Sequence, residues 1–120
     1  PVAFADGTVL TGWRVRRVGE RLRVSTLWRV EGEAAAATYQ QFHHLRVDEG
    51  EPLTVSDVAL SRGTWQTGDR VIVMADFFDI PAGAENLMID VGHYTLPDVR
   101  RIDRLDGEDA FVRLGTFTAP

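Results

Sequence analysis

The sequence predicts an all-β fold, namely a two-sheet antiparallel sandwich of about seven or eight strands in an Ig-like or jelly-roll-like arrangement. Apolar and polar residues alternate with a period of two along most of the chain, which is the pattern of half-buried strands. Turn residues recur about every 8–12 positions, and no segment has the length and periodicity of a long helix. A closed barrel is the alternative architecture.

Length and composition exclude several classes of function. The 120 residues suit one domain spanning residues 1–120 and are too few for two sizeable cores. A net charge of -5 argues against a nucleic-acid partner. Cysteine is absent, so neither a disulfide framework nor a thiolate zinc site is possible. Because the chain begins at Pro1 rather than at methionine, we expect a processed product or a fragment of something longer.

The individual strands follow from the alternation. The second predicted strand, Arg21–Val30, carries apolar residues and Thr26 on one face and three arginines on the other, so we expect one side to be buried and one solvated. Residues 31–37 are read as a loop or one helical turn, and residues 61–69 as a long loop. The remaining strands are predicted at Thr8–Val18, Thr38–Val47, Leu53–Leu60, Arg70–Ile80, Asn86–Thr95, Val99–Leu105 and Ala110–Thr118.

Several short motifs occur in the order and spacing of a known family. Phe4-Ala-Asp-Gly-Thr-Val-Leu-Thr-Gly-Trp13 is similar to F-x-D-G-I-x-L-L-G-Y, and Leu22-Arg-Val-Ser-Thr-Leu-Trp28-Arg to L-x-V-T-L-Y-W-R. Tyr39-Gln-Gln-Phe-His-His-Leu45 is similar to Y-T-V-F-V-H-L, and Trp65-Gln-Thr-Gly-Asp69 to W-x-P-G-E. Shorter matches are Ile80-Pro-Ala-Gly83, Val91-Gly-His-Tyr94 and Leu114-Gly-Thr116. Over residues 4–118 the chain therefore resembles the C-terminal extracytoplasmic β-sandwich of dolichyl-phosphate-mannose-type membrane glycosyltransferase-like proteins of Chloroflexi-like bacteria.

The resemblance implies a non-catalytic accessory domain on the extracytoplasmic face of the cell membrane. Such a domain would be attached to a polytopic membrane protein and would contact glycan or lipid-linked sugar. The chain departs from the family pattern at Thr67, where proline is usual, at His93, which replaces an aliphatic residue, and at Thr95, which replaces aspartate. Two other functions stay open, a freestanding carbohydrate-binding module and a structural or interaction domain without a small ligand.

No catalytic motif is recognisable in the chain. The glycine-flanked nucleophile elbow, the Walker loop and the dinucleotide fingerprint are all missing. We therefore expect no catalytic residues, no cofactor and no metal. The acidic residues leave open a carboxylate pair of the kind that hydrolyses glycosides, although solvated turns and strand edges explain them more simply.

Two histidines form the first candidate ligand site. We place His44 inward because it shares a strand face with Phe42, and we place His93 inward with its aliphatic neighbours. If the two strands pair, these rings would meet, with Asp76 or Asp90 nearby. The pair would be either a metal or pH-sensitive site or, more commonly, two core-edge histidines bonded to backbone groups.

Tryptophans and arginines supply the other candidates. Trp28 is predicted to be core, whereas Trp13 and Trp65 are candidates for stacking against a sugar. Trp65 lies in the loop 61–69, where its alternative role is to pin that loop onto the core. A basic sheet face could meet phospholipid headgroups or an acidic glycan, although solvated arginines paired with carboxylates are commoner. These arginines are Arg14, Arg16, Arg17, Arg21, Arg23, Arg29, Arg100, Arg101, Arg104 and Arg113.

Overall fold

Nine antiparallel strands form two separate sheets in the computed structural model, which describes all 120 residues. The two-sheet sandwich predicted from the alternation is thereby confirmed, and the chain does not close into a barrel. The strands are β1 (Val2–Ala3), β2 (Thr8–Val18), β3 (Arg21–Val30), β4 (Thr38–Val47), β5 (Pro52–Leu60), β6 (Arg70–Phe77), β7 (Leu87–Leu96), β8 (Arg100–Arg101) and β9 (Val112–Phe117). The one helical element is a 3-10 turn at Arg62–Thr64, so no helix is long and apolar enough to cross a membrane.

The first sheet has the order β1-β2-β3-β6, and the second has the order β5-β4-β7, with both β8 and β9 pairing with β7. The strands that carry the predicted histidine pair, β4 and β7, are therefore neighbours, as expected. Thr26, at the middle of β3, pairs with Trp13 of β2 on one side and with Val73 of β6 on the other. Thr26 is buried and faces the second sheet, together with Val24 and Trp28 on the same side of β3.

One cluster of 15 buried apolar residues fills the space between the sheets. Trp28 is its largest member and is fully buried with Leu22 and Val24 on the inward face of β3, so the prediction that Trp28 is core is confirmed. Burying a large apolar side chain contributes roughly 1.5–3 kcal/mol, and this cluster is the main driving force of the fold. Four polar side chains that reach into the same space form the site described below.

Several strand ends differ from the prediction, for local reasons. β6 ends at Phe77 because Asp79 adopts a left-handed conformation with φ 62° that turns the chain. Of the segment predicted at Val99–Leu105, only Arg100–Arg101 pairs with β7. The two-residue strand β1 is too short to show a period and was not expected.

Candidate functional site

The most unusual feature of the core is a continuous line of polar side chains, here called the buried polar chain and consisting of Asp6, His93, Gln41 and His43. Asp6 Oδ2 lies 2.8 Å from His93 Nδ1, and His93 Nε2 lies 2.9 Å from Gln41 Oε1. Gln41 Nε2 lies 2.9 Å from His43 Nε2, and His43 Nδ1 lies 2.8 Å from the carbonyl oxygen of Ser56. The chain thus runs from the β1–β2 turn through β7 and β4 to β5.

A tight turn positions the acidic end of this chain. Asp6 Oδ1 accepts hydrogen bonds from the backbone N–H of Thr8 at 3.2 Å and from its hydroxyl at 2.6 Å. The intervening Gly7 has φ 81° and lies so close to the backbone of Gly32 that a Cβ there would be 2.6 Å from the Gly32 carbonyl oxygen. Only glycine fits both demands, and the turn therefore holds the Asp6 carboxylate against β7.

The middle of the chain is anchored to the first sheet. Gln41 Nε2 donates a second hydrogen bond, of 2.8 Å, to Thr26 Oγ1, which also accepts one of 2.8 Å from the indole N–H of Trp28. Trp28 in turn packs on His93 with 4.3 Å between ring centroids. The two sheets are therefore joined through side-chain hydrogen bonds as well as through apolar packing, which limits how they can slide past each other.

The hydrogen-bond partners fix where the protons lie. A backbone carbonyl can only accept, so His43 carries its proton on Nδ1 and presents a lone pair on Nε2. Gln41 must then turn its amide nitrogen toward His43 and its oxygen toward His93, so His93 Nε2 carries a proton. Since Asp6 is ionised, His93 Nδ1 carries a proton as well. The hydrogen-bond partners thus assign a proton to each ring nitrogen of His93, which faces the Asp6 carboxylate on one side and packs on the face of Trp28 on the other.

The pKa directions of the two flanking groups agree with this assignment. Burial lowers the pKa of His43 to about 4, so its ring is neutral at neutral pH. Burial alone would raise the pKa of Asp6, but the hydrogen bond and the charge attraction from His93, with the bonds from Thr8, outweigh it and lower that pKa. The buried polar chain thus carries charge at its Asp6 end and is neutral at its His43 end.

The inward placement of His44 was wrong, and His43 takes that position. Tyr39, Gln41, His43 and Leu45 face the core, whereas His44 is half-buried on the outer face of the second sheet. His44 and His93 do not meet. Phe42, on which the expectation depended, is buried on the outer face because the guanidinium of Arg101 lies 4.4 Å from the centre of its ring.

The two aspartates expected beside the histidines belong to other contacts. Asp90 is the cross-strand partner of His44 on the outer face, where Arg46 and Arg113 bind its carboxylate. Asp76 lies in the first sheet and pairs with arginines of β3. Burial, followed by the charges of Arg101 and Arg46, lowers the pKa of His44. No group of three or more His, Asp or Glu side chains is arranged to hold a metal ion.

The buried polar chain is not accessible for chemistry on a substrate. The side chains of Asp6 and His93 are both 0% exposed, and Gln41 and His43 are equally buried. A carboxylate–imidazole pair can act as a general base only if a substrate proton comes within hydrogen-bond reach. The arrangement therefore makes its contacts within the core, where Gln41 links it to Thr26 of the first sheet.

Trp65 lies in a surface groove of about 470 Å³, together with Arg62, Glu33, Gln66 and Thr67. The ring is half-buried against the core, so it pins the loop, and it also borders the groove. Arg62 is buried, and its Nη2 donates hydrogen bonds to the carbonyl oxygens of Asp6 and Gly32. Its Nε is the one buried side-chain polar atom without a hydrogen-bond partner.

Trp13 occupies a different place: the residue borders a groove on the outer face of the first sheet, but as the cross-strand partner of Thr26 its side chain is directed toward the second sheet. Its side chain is 44% exposed, and its ring passes close to Gly115 of β9, where a Cβ would lie 3.7 Å from Trp13 Cζ2. The two tryptophan candidates therefore line separate grooves and do not form one platform. The remaining candidate, His44, lines neither groove.

Comparison with protein-family models, with curated proteins and with solved structures gives no match to this chain. The family resemblance of the motifs therefore stays a prediction, and the function is argued from the geometry.

Proposed function

We propose that the chain is a non-catalytic accessory domain that contacts glycan or lipid-linked sugar through the groove beside Trp65. The observation that carries the proposal is the composition of this groove, an indole ring bordered by the exposed side chains of Glu33, Gln66 and Thr67. A sugar ring offers an apolar face to an aromatic side chain and hydroxyl groups to such polar neighbours.

The buried Arg62 strengthens this assignment. Its guanidinium carbon lies 5.4 Å from the centre of the Trp65 ring, so the indole is already held from one side. A preorganised aromatic surface loses little side-chain freedom when a ligand binds, which favours affinity. The loop is fixed further by a 2.8 Å hydrogen bond from the Gln66 backbone N–H to the carboxylate of Asp69.

A titration against an oligosaccharide panel, with neutral, amino and uronic-acid sugars, tests the proposal by calorimetry and tryptophan fluorescence. We expect at least one glycan to bind, and Trp65→Ala to weaken binding by about tenfold or more, a loss equivalent to about 1.4 kcal/mol. Because Trp65 also packs on the core, Glu33→Ala and Gln66→Ala provide substitutions at exposed sites that leave the fold intact. Trp13→Ala is the matched control and should leave binding unchanged.

Two outcomes would overturn the sugar site. One is the absence of binding across the panel, and the other is binding that survives all three groove substitutions. Attachment to a polytopic glycosyltransferase-like protein on the extracytoplasmic side rests on the motif resemblance and has its own test. The natural gene should encode several apolar segments of about 20 residues upstream of Pro1, and a gene that encodes only a signal peptide and this sandwich would contradict it.

A further inference from the structure

We infer that the outer face of the first sheet binds an extended peptide segment in which acidic and apolar residues alternate. The inference concerns the groove that runs along β3 on the side opposite the core. Its floor is formed by Ser25 and Leu27, with Gly12 beside them on β2, and its volume is about 470 Å³. It shares no lining residue with the groove beside Trp65.

The two walls of this groove differ in chemistry. On the β6 side, Ile72 is 62% exposed and Met74 is 49% exposed, and the two are neighbours on the same face of the strand. On the β2 side stand Arg14 and Arg16, both exposed. The register places Arg14 and Met74 on either side of Ser25. A ligand in the groove therefore meets a basic wall and an apolar wall at the same level.

The basic wall has no carboxylate partner within the protein. Three other arginines on the same face do have partners, since Arg21 and Arg23 bind Asp76 and Arg29 binds Glu31, whereas Arg70, opposite Arg29, has none. Arg14 and Arg16 form no salt bridge and donate no side-chain hydrogen bond, although the chain as a whole carries a net charge of -5. The unpaired positive charge of Arg14 and Arg16 favours binding of an anionic ligand on this wall.

The spacing fits an extended chain. Side chains on one face of a strand repeat about every 6.6–6.8 Å, and neighbouring strands lie about 4.8 Å apart, so the walls on β2 and β6 are about 10 Å from each other. An extended peptide has the same repeat and projects alternate side chains to opposite sides. Laid along β3, its acidic residues would reach Arg14 and Arg16 while the residues between them cover Ile72 and Met74.

Other anionic ligands match the groove less well. A sulfated or uronic-acid polysaccharide offers flat ring faces that suit an aromatic side chain, but it has no aliphatic side chains to cover Ile72 and Met74, and its charged groups would lie against that apolar wall. A bilayer would need a convex or flat face, whereas the two walls of this groove stand about 10 Å apart, which leaves room for a single extended chain. The alternating peptide satisfies both walls.

Fluorescence anisotropy with the whole protein tests the inference, using a labelled eight-residue peptide in which glutamate alternates with valine or leucine. We expect saturable binding that weakens with added salt. A peptide of the same composition with its acidic and apolar residues in separate blocks should bind at least about tenfold more weakly, because it cannot face both walls at once. Anionic vesicles and heparin, tested in parallel, should not compete.

Two variants and one control locate the binding. Replacing both Arg14 and Arg16 by glutamate should weaken binding by about tenfold or more, since two attractions become repulsions. Ser25→Trp should block the groove floor without altering any charge. Arg100→Glu, an exposed arginine on the other sheet, makes the same kind of charge change and should alter binding less than about twofold. Circular dichroism checks that each variant is folded.

Equal binding of the alternating and block peptides would overturn the inference, as would binding that survives Ser25→Trp. Binding to vesicles or heparin without binding to the peptide would also overturn it and would assign the face to that ligand instead. None of these results bears on the sugar groove, because the two grooves share no lining residue. Trp65→Ala should accordingly leave peptide binding unchanged.

Discussion

Removing the carboxylate of Asp6 should destabilise the protein far more than neutralising it. Asp6 accepts hydrogen bonds from the Thr8 backbone N–H, from the Thr8 hydroxyl and from His93, and all of these groups are buried. In Asp6→Ala the imidazolium and the hydroxyl lose their partners together. Breaking a buried ion pair at one partner costs about 3–5 kcal/mol, so the free energy of unfolding should fall by that amount.

Asp6→Asn should be much milder, because the network can be satisfied again. The Asn oxygen can accept from Thr8, and its amide nitrogen can donate to Nδ1 of His93 once that nitrogen has lost its proton. What is lost is the charge-assisted part of two hydrogen bonds, which we put at about 1–2 kcal/mol. The two variants should therefore differ by about 2 kcal/mol or more.

Urea unfolding at pH 7, followed by tryptophan fluorescence, measures both losses, and unchanged m values would show that the denatured state is comparable. Asp103 is the matched control, because it is exposed and uses only its backbone carbonyl as an acceptor. Asp103→Ala should change stability by no more than about 0.5 kcal/mol. Equal destabilisation by Asp6→Ala and Asp6→Asn would refute the proton assignment, and a negligible effect of both would refute the paired state altogether.

The remaining predictions concern one titration and two glycines. Burial lowers the pKa of His43 from 6.5 to about 4. Between these two pH values the unfolded chain binds a proton at His43 and the folded protein does not, so the free energy of unfolding should fall by about 3 kcal/mol as the pH drops from 6.5 to 4. His43→Asn should flatten that part of the pH profile in urea unfolding, and a profile as steep as the wild type would contradict this. Gly92→Ala should cost about 1–3 kcal/mol or more in the same assay, because its Cβ would lie 2.5 Å from Phe42 Cζ. Gly7→Ala should cost at least as much stability, because the residue has φ 81° and its Cβ would lie only 2.6 Å from the carbonyl oxygen of Gly32. For either glycine variant, a thermal melting temperature within about 2 °C of the wild type would refute the prediction.

Much of the architecture could be predicted because the period of two is a local property. The inward face of β3 follows directly from the spacing of Leu22, Val24 and Trp28, and these residues are indeed core. The sheet order could not be predicted, because strand pairing depends on contacts between segments far apart in the chain. β8 and β9 illustrate this, since Asp106-Gly107-Glu108-Asp109 between them has the composition of a hairpin turn and yet both strands pair with β7 rather than with each other.

The site was missed for a related reason. The single apolar residue Phe42 indicated the wrong face of β4, because it is buried by Arg101 from another strand. The useful signal was the position of Tyr39 and Leu45, which share a face with Gln41 and His43 and are core. The role of Asp6 could not be seen at all, since its partner His93 is 87 residues away in the sequence.

Nitrogen-15 NMR of the histidine rings tests the central claim, that the buried polar chain is sealed within the core and that its two histidines hold fixed protons. At pH 7 we predict protons on both ring nitrogens of His93 and on Nδ1 alone of His43, and we expect these protons to exchange slowly with D2O. The half-buried His44 is the internal reference and should exchange rapidly. A neutral His93, or ring protons of His43 and His93 that exchange as fast as those of His44, would contradict the claim and would return the buried polar chain to consideration as an open catalytic site.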